Sequence, residues 1–412
     1  MSGPLEMRLA PLADGRFRLL FVATFGSGLG NWLAVIALQV DVYDRTGSGW
    51  WVGALLVANI LPAIFLGLFL GPLVDRLSRK GLMIASDLVR LAAFVALPFV
   101  SGPAAIVALA AVAGIGNAFF RPAVLAGLPN LVPAAQLAGA NALLQLVEWT
   151  TTAAGPLAGG AIVAAAGPDL AYWVNAATFA FSAALVALIP ARLLQSDRPV
   201  GRGHWADLAD GFRTVRRSRA LLAVLVVWTI VMFAGGAINL AEIFLAKRSY
   251  NSGDFGFGVL WAATGVGLIA GGLAAERLIH RFHLAGAYTR LLAVYAIGIA
   301  GAAAAPGLVL GAAATAVYAF GNGGALVANI TLVQTGAPDR VRGRAFTVLM
   351  SVTYASLGIA FVAAGPITNA VGARWVYAGA AALVAVAAAV AARMTRGVDV
   401  ARPRRMAEAE AA

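Results

Sequence analysis

The chain has 412 residues, 61% of them apolar and 12% charged, with a formal net charge of +12 and a mean hydropathy of +0.85. A soluble domain carries about 25% charged residues, and half that share cannot clothe a 42.1 kDa globule in water-compatible surface, so a soluble enzyme is excluded. The absence of cysteine removes disulfides, thiolate metal centres and thiol redox chemistry in the same step.

A helix that crosses a bilayer takes about 20 apolar residues. In chain order, the apolar runs predict spans at 18–42, 50–74, 82–101, 104–127, 138–165 and 169–190, then 220–246, 255–275, 287–304, 307–334, 345–370 and 373–393. The expected fold class is therefore all-α, a polytopic membrane protein of twelve transmembrane helices. The first run is too long for a signal-peptide core and is followed by Asp41, Asp44 and Arg45 instead of a small-residue cleavage site, so it is expected to stay.

Of the 30 Lys and Arg residues, 26 fall at the N-terminus, at the even-to-odd connections with their adjoining helix ends, and at the C-terminus. Arg45, Lys247, Arg248 and Arg374 are the four on the other side. Positive residues resist translocation, which places both termini in the cytoplasm. The same charge predicts contact with anionic membrane lipid. It does not predict a nucleic-acid partner, because the arginines are scattered among apolar helices.

The longest polar stretch, 191–219, separates spans six and seven. Within it Trp205, Leu208, Phe212 and Val215 recur at helical spacing beside Arg213, Arg216 and Arg217, the pattern of an amphipathic helix lying at the membrane surface. The predicted domains are a six-helix bundle over 1–190, this cytoplasmic linker, a second six-helix bundle over 220–393, and a disordered tail over 394–412. His204, His280 and His283 fall in polar connections with no carboxylate cluster, so no metal is expected. Neither Lys80 nor Lys247 follows a glycine, which excludes a GxxxxGK[ST] phosphate loop, and HExxH and GxSxG are absent. No catalytic residue and no cofactor is predicted.

The two bundles repeat. Gly71-Pro72-Leu73-Val74-Asp75-Arg76-Leu77-Ser78-Arg79-Lys80 returns as Gly271 to Arg281, with Glu276 in place of the aspartate. Gly67 and Gly71 match Gly267 and Gly271, and Gly155-Pro156 matches Gly365-Pro366. A duplicated unit of this kind is the architecture of transporters that rock around a site near the membrane midplane.

These residues resemble the major facilitator superfamily over nearly the whole chain. Its signature between spans two and three stands here as Gly71, Leu73, Asp75, Arg76, Arg79 and Lys80. Thr46-Gly47-Ser48, Asp87-Leu88-Val89-Arg90, Phe120-Arg121-Pro122-Ala123 and Asp210-Gly211-Phe212 are similar to the bacterial branch that contains siderophore (enterobactin) and macrolide exporters. The resemblance implies that the Gly71–Lys80 loop latches the two bundles on the cytoplasmic side, with Asp87 and Arg90 extending the network. It also implies that Gly155, Pro156, Gly159 and Gly160 form an antiporter-like motif, although Thr151 stands where that motif expects glycine. That branch commonly has an acid where Asn31 stands here, and asparagine cannot carry a proton.

A charge at the bilayer centre costs roughly 3 kcal/mol on insertion scales, so the acids in the spans need a role or a wet setting. Glu148, with Gln145 and Thr152 on nearby turns, reads as a proton-coupling or cation-recognition carboxylate, or as a cavity residue near the cytoplasmic mouth that pairs with an arginine, while Arg121, about two turns from the cytosol, reads as snorkelling there. Glu242 reads as an interfacial ion pair with Lys247 or Arg248, or as a coupling acid. Asp41 reads the same way, with Arg45 four residues on. Asn31, Gln39, Asn59, Gln145, Trp149, Trp228, Asn239, Asn322, Asn329 and Gln334 are the expected cavity lining, a mixed amide and aromatic surface suited to a bulky amphipathic solute. The leading expectation is a monomeric exporter in the bacterial inner membrane that exchanges an amphipathic small molecule for protons. An importer or uniporter of a small metabolite and a non-transporting membrane scaffold stay open beside it.

Overall fold

In a computed structural model the chain is described over residues 10–69, 77–133, 136–194, 212–213, 215–216, 218–336 and 339–395, the side chains of 63–69, 138 and 339–346 excepted. Among the described residues every regular element is a helix. The N-terminal set is α1 (Gly15–Thr46), α2 (Gly49–Phe69), α3 (Arg79–Ala96), α4 (Pro103–Leu131) and α5 (Leu137–Ala187). The C-terminal set is α6 (Arg219–Phe244), α7 (Gly253–Phe282), α8 (Leu284–Ala304), α9 (Leu308–Gly336), α10 (Asp339–Val371) and α11 (Ala373–Met394). Ten of these are long and apolar enough to cross a membrane, and the apolar stretch of α2, Gly49–Pro62, is shorter.

Local chemistry sets the helix ends. The Asp14 side chain accepts from the Arg16 and Phe17 amides, Ser78 accepts from Gly81, and Ser218 accepts from Leu221, each satisfying donors that the first turn leaves free. Pro103 opens α4, where its missing N–H costs nothing. A straight helix the length of α5 would run about 77 Å, well beyond the ~30 Å of a hydrocarbon core. It is broken at Gly167, where φ is 77° and ψ 176°, a conformation open to glycine. The break falls between the predicted spans 138–165 and 169–190 and divides α5 into limbs over 137–166 and 168–187.

The turns at one end are held together directly. Arg45 donates to the carbonyls of Val100 and Ser101, Tyr250 donates to Ala302, and Arg374 donates to Ala303 and Ser249. This end carries few basic residues and is called the neutral end. The opposite, basic end is closed over the N-terminal set by a cluster around Phe17, Leu20, Met83, Leu131, Val186 and Leu194. The larger core runs from Leu33 on α1 through Trp228 on α6 to Ala391 on α11, so the two sets share it. Of the linker segment, Val215 is buried in that core and Phe212 is exposed, while Trp205 and Leu208 lie outside the described residues.

Candidate functional site

The two helix sets meet at the neutral end through glycine. A Cβ on Gly53 of α2 would lie 2.5 Å from the Phe361 carbonyl oxygen of α10, and one on Gly160 of α5 would lie 2.9 Å from Gly258 Cα of α7. Small residues let helix backbones approach this closely. The glycines of the antiporter-like motif divide their work. Gly155 and Gly159 press on Trp32 and Leu33 of α1, whereas Gly160, with the Pro156 carbonyl, faces α7. The motif therefore sits where α1, α5 and α7 come together.

Charge closes the same end. The Lys247 ammonium bridges Asp44 on α1 and Asp254 on α7, the latter at 2.5 Å. Arg248 donates to the Tyr43 hydroxyl at 2.9 Å and to the Gly47 carbonyl, with its guanidinium over the Phe244 and Tyr43 rings. Asn369 on α10 accepts from the Gly49 amide at 3.0 Å. The hydrogen bonds and ion pairs that join the two sets, between described residues, lie at this end. Trp32 against Trp261, 5.6 Å between centroids, forms the inner floor of the seal.

On the other side of that floor, polar groups stay wet. Arg121 and Glu148 form a 3.1 Å pair between α4 and α5, with side chains 60% and 38% exposed. Glu148 lies eleven residues into α5, about 16 Å from its start at the basic end. Deeper still, Asn31 donates to Asn117 at 3.0 Å in an exposed contact between α1 and α4. Gln145 and Trp149 are exposed beside Glu148. Charged groups at such depth in apolar helices face water, because lipid would leave them unsolvated.

The remaining predicted residues take varied positions. Gln39, Trp228 and Asn329 are buried, Asn59, Asn239 and Asn322 are half-buried, and Gln334 is exposed near the basic end. Both polar atoms of the Gln39 side chain and Oδ1 of Asn329 have no partner. Gly71, Asp75 and Arg76 lie outside the described residues. Arg79 donates to the Leu194 carbonyl and Lys80 to that of Ala187, tying the start of α3 to the end of the N-terminal set. In the second copy of the loop, Glu276 is exposed, 3.9 Å from His280. Asp87 and Arg90 are fully buried, paired at 2.5 Å, with Ser182 donating to Asp87 at 2.8 Å and the guanidinium between the Phe120 and Phe179 rings.

The three acids separate by environment. Asp41 is buried but paired with Arg45 at 2.5 Å and accepts from the Tyr172 hydroxyl at 2.9 Å. Glu148 is wet and paired. Glu242 is 1% exposed, and its Oε1 has no partner. It does not pair with Lys247 or Arg248, because beyond Phe244 the chain widens into a π turn, Leu245–Ser249, that carries both cations toward α1. Instead it faces the Tyr318 hydroxyl of α9. Tyr250, in the turn just outside the span, is a neutral donor, with burial pushing its hydroxyl up to about 12.

Sequence reasoning passed over Asp254, Asn117, Tyr172 and Asn369. Two of these carried a signal. Asn117 lies four residues before Arg121 and Asn369 four after Gly365, each on the same helix face as a residue already marked.

The chain is similar to known transporters throughout its length. It is 27% identical to the multidrug efflux pump Tap of Mycolicibacterium fortuitum over 377 residues, covering 87% of this chain and 90% of that one. It is also 27% identical to the enterobactin exporter EntS of Shigella boydii over 342 residues, 80% and 79% of the two chains. Its fold superposes on a bacterial homologue of the iron transporter ferroportin in an inward-facing state with a TM-score of 0.74 at 15% identity, covering 96% of this chain and all of that one. The model of the transmembrane secretion effector family matches residues 6–405. With its long apolar helices, this is a multi-pass protein of the bacterial inner membrane, and it belongs to the transmembrane secretion effector family of the major facilitator superfamily.

Proposed function

We propose that the protein exports amphipathic small molecules of the drug, macrolide or siderophore class by alternating access, driven by proton antiport. Twelve crossing helices form two six-helix bundles, 1–190 and 220–393, with both termini in the cytoplasm. The limbs of α5 count as two crossings and α2 as one. The scarcity of basic residues at the neutral end assigns that end to the outside.

One observation carries the reading. The two helix sets are sealed at the neutral end by glycine contacts and the Lys247 bridge, while exposed polar groups lead inward from the basic end as far as Asn31 and Asn117. A chamber wet from one side and stoppered on the other is one half of an alternating cycle. The seal combines backbone-to-backbone glycine contacts and ion pairs that water can replace with the apolar contacts of the core that the two sets share. The similarity to Tap and EntS supports the outward direction and the solute class. The mixed lining of amides, Trp149 and one wet ion pair suits a solute with both apolar and polar faces.

Reconstituted in proteoliposomes, the protein should move a cationic dye, a macrolide and a catecholate siderophore against a concentration gradient when a pH gradient is imposed. Protein-dependent flux that ignores the gradient would remove antiport. No flux of any of the three would remove the solute class.

A further inference from the structure

Glu242 is set apart from every other acid whose side chain is described. Asp41, Asp87 and Glu148 each have an arginine within 3.1 Å, and Asp44 and Asp254 share Lys247. Asp14, Asp169 and Glu276 stand at helix ends or in exposed positions. Glu242 alone among them is buried with no cation. Tyrosines stand around it. Tyr318 of α9 faces the carboxyl, and Tyr377 of α11 and Tyr250 of the following turn lie near enough to feel its charge. Tyr295 of α8 stacks beside Tyr318 at 5.9 Å. Between Thr347 and Val371, α10 carries only Tyr354 as an ionisable group, and that side chain is exposed. α2 has no charged residue between Gly49 and Pro62. The basic residues at this end are committed elsewhere: Lys247 to Asp44 and Asp254, Arg248 to Tyr43 and Gly47, Arg374 to Ala303 and Ser249.

A carboxylate buried without a cation or a full set of donors is far costlier than the neutral acid. With the neutral end closed, the group therefore holds its proton. We propose that Glu242 is the proton-carrying acid of the transporter, and that its charge state is tied to whether the neutral end is closed. It lies five residues before the lock residue Lys247, on the helix that the lock holds. Loss of that proton leaves a carboxylate that only water admitted by parting the seal can solvate, so deprotonation favours opening.

The surroundings also provide an exit. Tyr318 is hydrogen-bonded to Thr264 of α7 at 3.1 Å, and Thr264 is half-buried, next to Gly265, where α7 touches Ala153 of α5. A proton leaves the carboxyl by passing to the Tyr318 oxygen as that hydroxyl hands its own hydrogen to Thr264, which releases one to water. Each hydroxyl gives up one hydrogen and receives one, so the relay returns unchanged and the carboxylate is left with the negative charge. This places proton release on the chamber side of the seal, and the carboxylate it leaves favours opening of the outer side, where a proton is taken up again. The transport consequence rests on the antiport reading above, whereas the proton site itself is testable without transport.

The chain has no native cysteine, and Gly102 and Gly307, in neutral-end turns of the two sets, have open space where a side chain would go. A Gly102→Cys/Gly307→Cys protein in lipid nanodiscs, spin-labelled and measured by pulsed electron resonance, reads the opening of that end. A longer distance should grow in as pH is raised. With Glu242→Gln the short distance should persist at every pH, and Glu242→Asp should keep a pH response with a shifted midpoint. Tyr318→Phe should keep the equilibrium response and slow proton release after a pH jump. An unchanged pH response in Glu242→Gln would overturn the assignment. Efflux separates this from the antiport reading. If wild type ignores the pH gradient while the distance response is present and lost in Glu242→Gln, antiport falls and the proton site stands. If Glu242→Gln still shows gradient-driven efflux at the wild-type rate, antiport stands and Glu242 falls.

Discussion

Gly49 and Gly365 meet backbone to backbone: a methyl group on Gly49 would lie 2.5 Å from the Gly365 carbonyl oxygen, and one on Gly365 would lie 2.5 Å from that of Gly49. The contact has no slack for a side chain, so the closed neutral end depends on both positions remaining glycine.

Gly365→Val is expected to pry α2 from α10. Overpacking a tight contact costs about 1–3 kcal/mol, and because the strain exists only when the sets touch, it falls on the closed state alone. The closed-to-open ratio should drop by roughly 5–150-fold. Labelling of Leu240→Cys, buried on α6 against Gly53, by a membrane-impermeant maleimide, added to that background, measures it. Equal labelling with and without Gly365→Val would show that the contact does not hold the end shut.

Lys247→Met leaves Asp44 and Asp254 facing each other with no cation between them. The Asp44 side chain is 50% exposed, so solvent screens part of the loss, and the expected effect is about 1 kcal/mol, roughly fivefold toward opening. Asp44→Asn should do less, because Lys247 keeps Asp254. The same maleimide assay reads both, and a larger effect for Asp44→Asn would reverse the ranking of the two contacts.

The Arg121–Glu148 pair is too exposed to hold the fold together. Glu148→Gln and Arg121→Gln should each shift unfolding stability by less than about 1 kcal/mol. In a wet chamber, however, Glu148 sets the local charge that a solute meets. Glu148→Gln is expected to raise the KM of a cationic dye about fivefold, with little change for a neutral macrolide and with the dependence on pH gradient retained. Loss of the gradient dependence would move the proton to Glu148.

Asp87 and Arg90 behave in the opposite way. Removing one member of a buried pair strands the other, at about 3–5 kcal/mol, so Arg90→Leu and Asp87→Leu should each lower the melting temperature in detergent markedly. The double substitution should recover most of the loss, since it buries no orphan charge. A double variant as unstable as the sum of the singles would mean that the ring stacking of Arg90 on Phe120 and Phe179, and not the ion pair, supports that site.

Helices were legible because a chain this apolar must satisfy its backbone internally, and a run of about 20 residues between polar breaks has one way to do so. The break at Gly167 showed itself as Gly-Pro-Asp between two runs. Pairs one turn apart were legible too: Asp41 with Arg45, Asp87 with Arg90. Partners on other helices were not. Asp44 and Lys247 are 203 residues apart, Asp41 and Tyr172 131, Asp87 and Ser182 95, and no spacing rule connects them. The isolation of Glu242 was hidden for another reason. Lys247 stands five residues away, near enough in sequence to suggest a pair, until the π turn carries it round to the other helix set.

Arg374 has a consequence for how such a machine flexes. Its guanidinium grips carbonyls that terminate two neighbouring rods, Ala303 and Ser249, while lying over the Tyr250 ring, so three staves are hooped together at one rim. Bending among those staves is left to the unhooped rim. The neutral rim is thus braced as one plate, and strain applied there falls on the seam between the two plates.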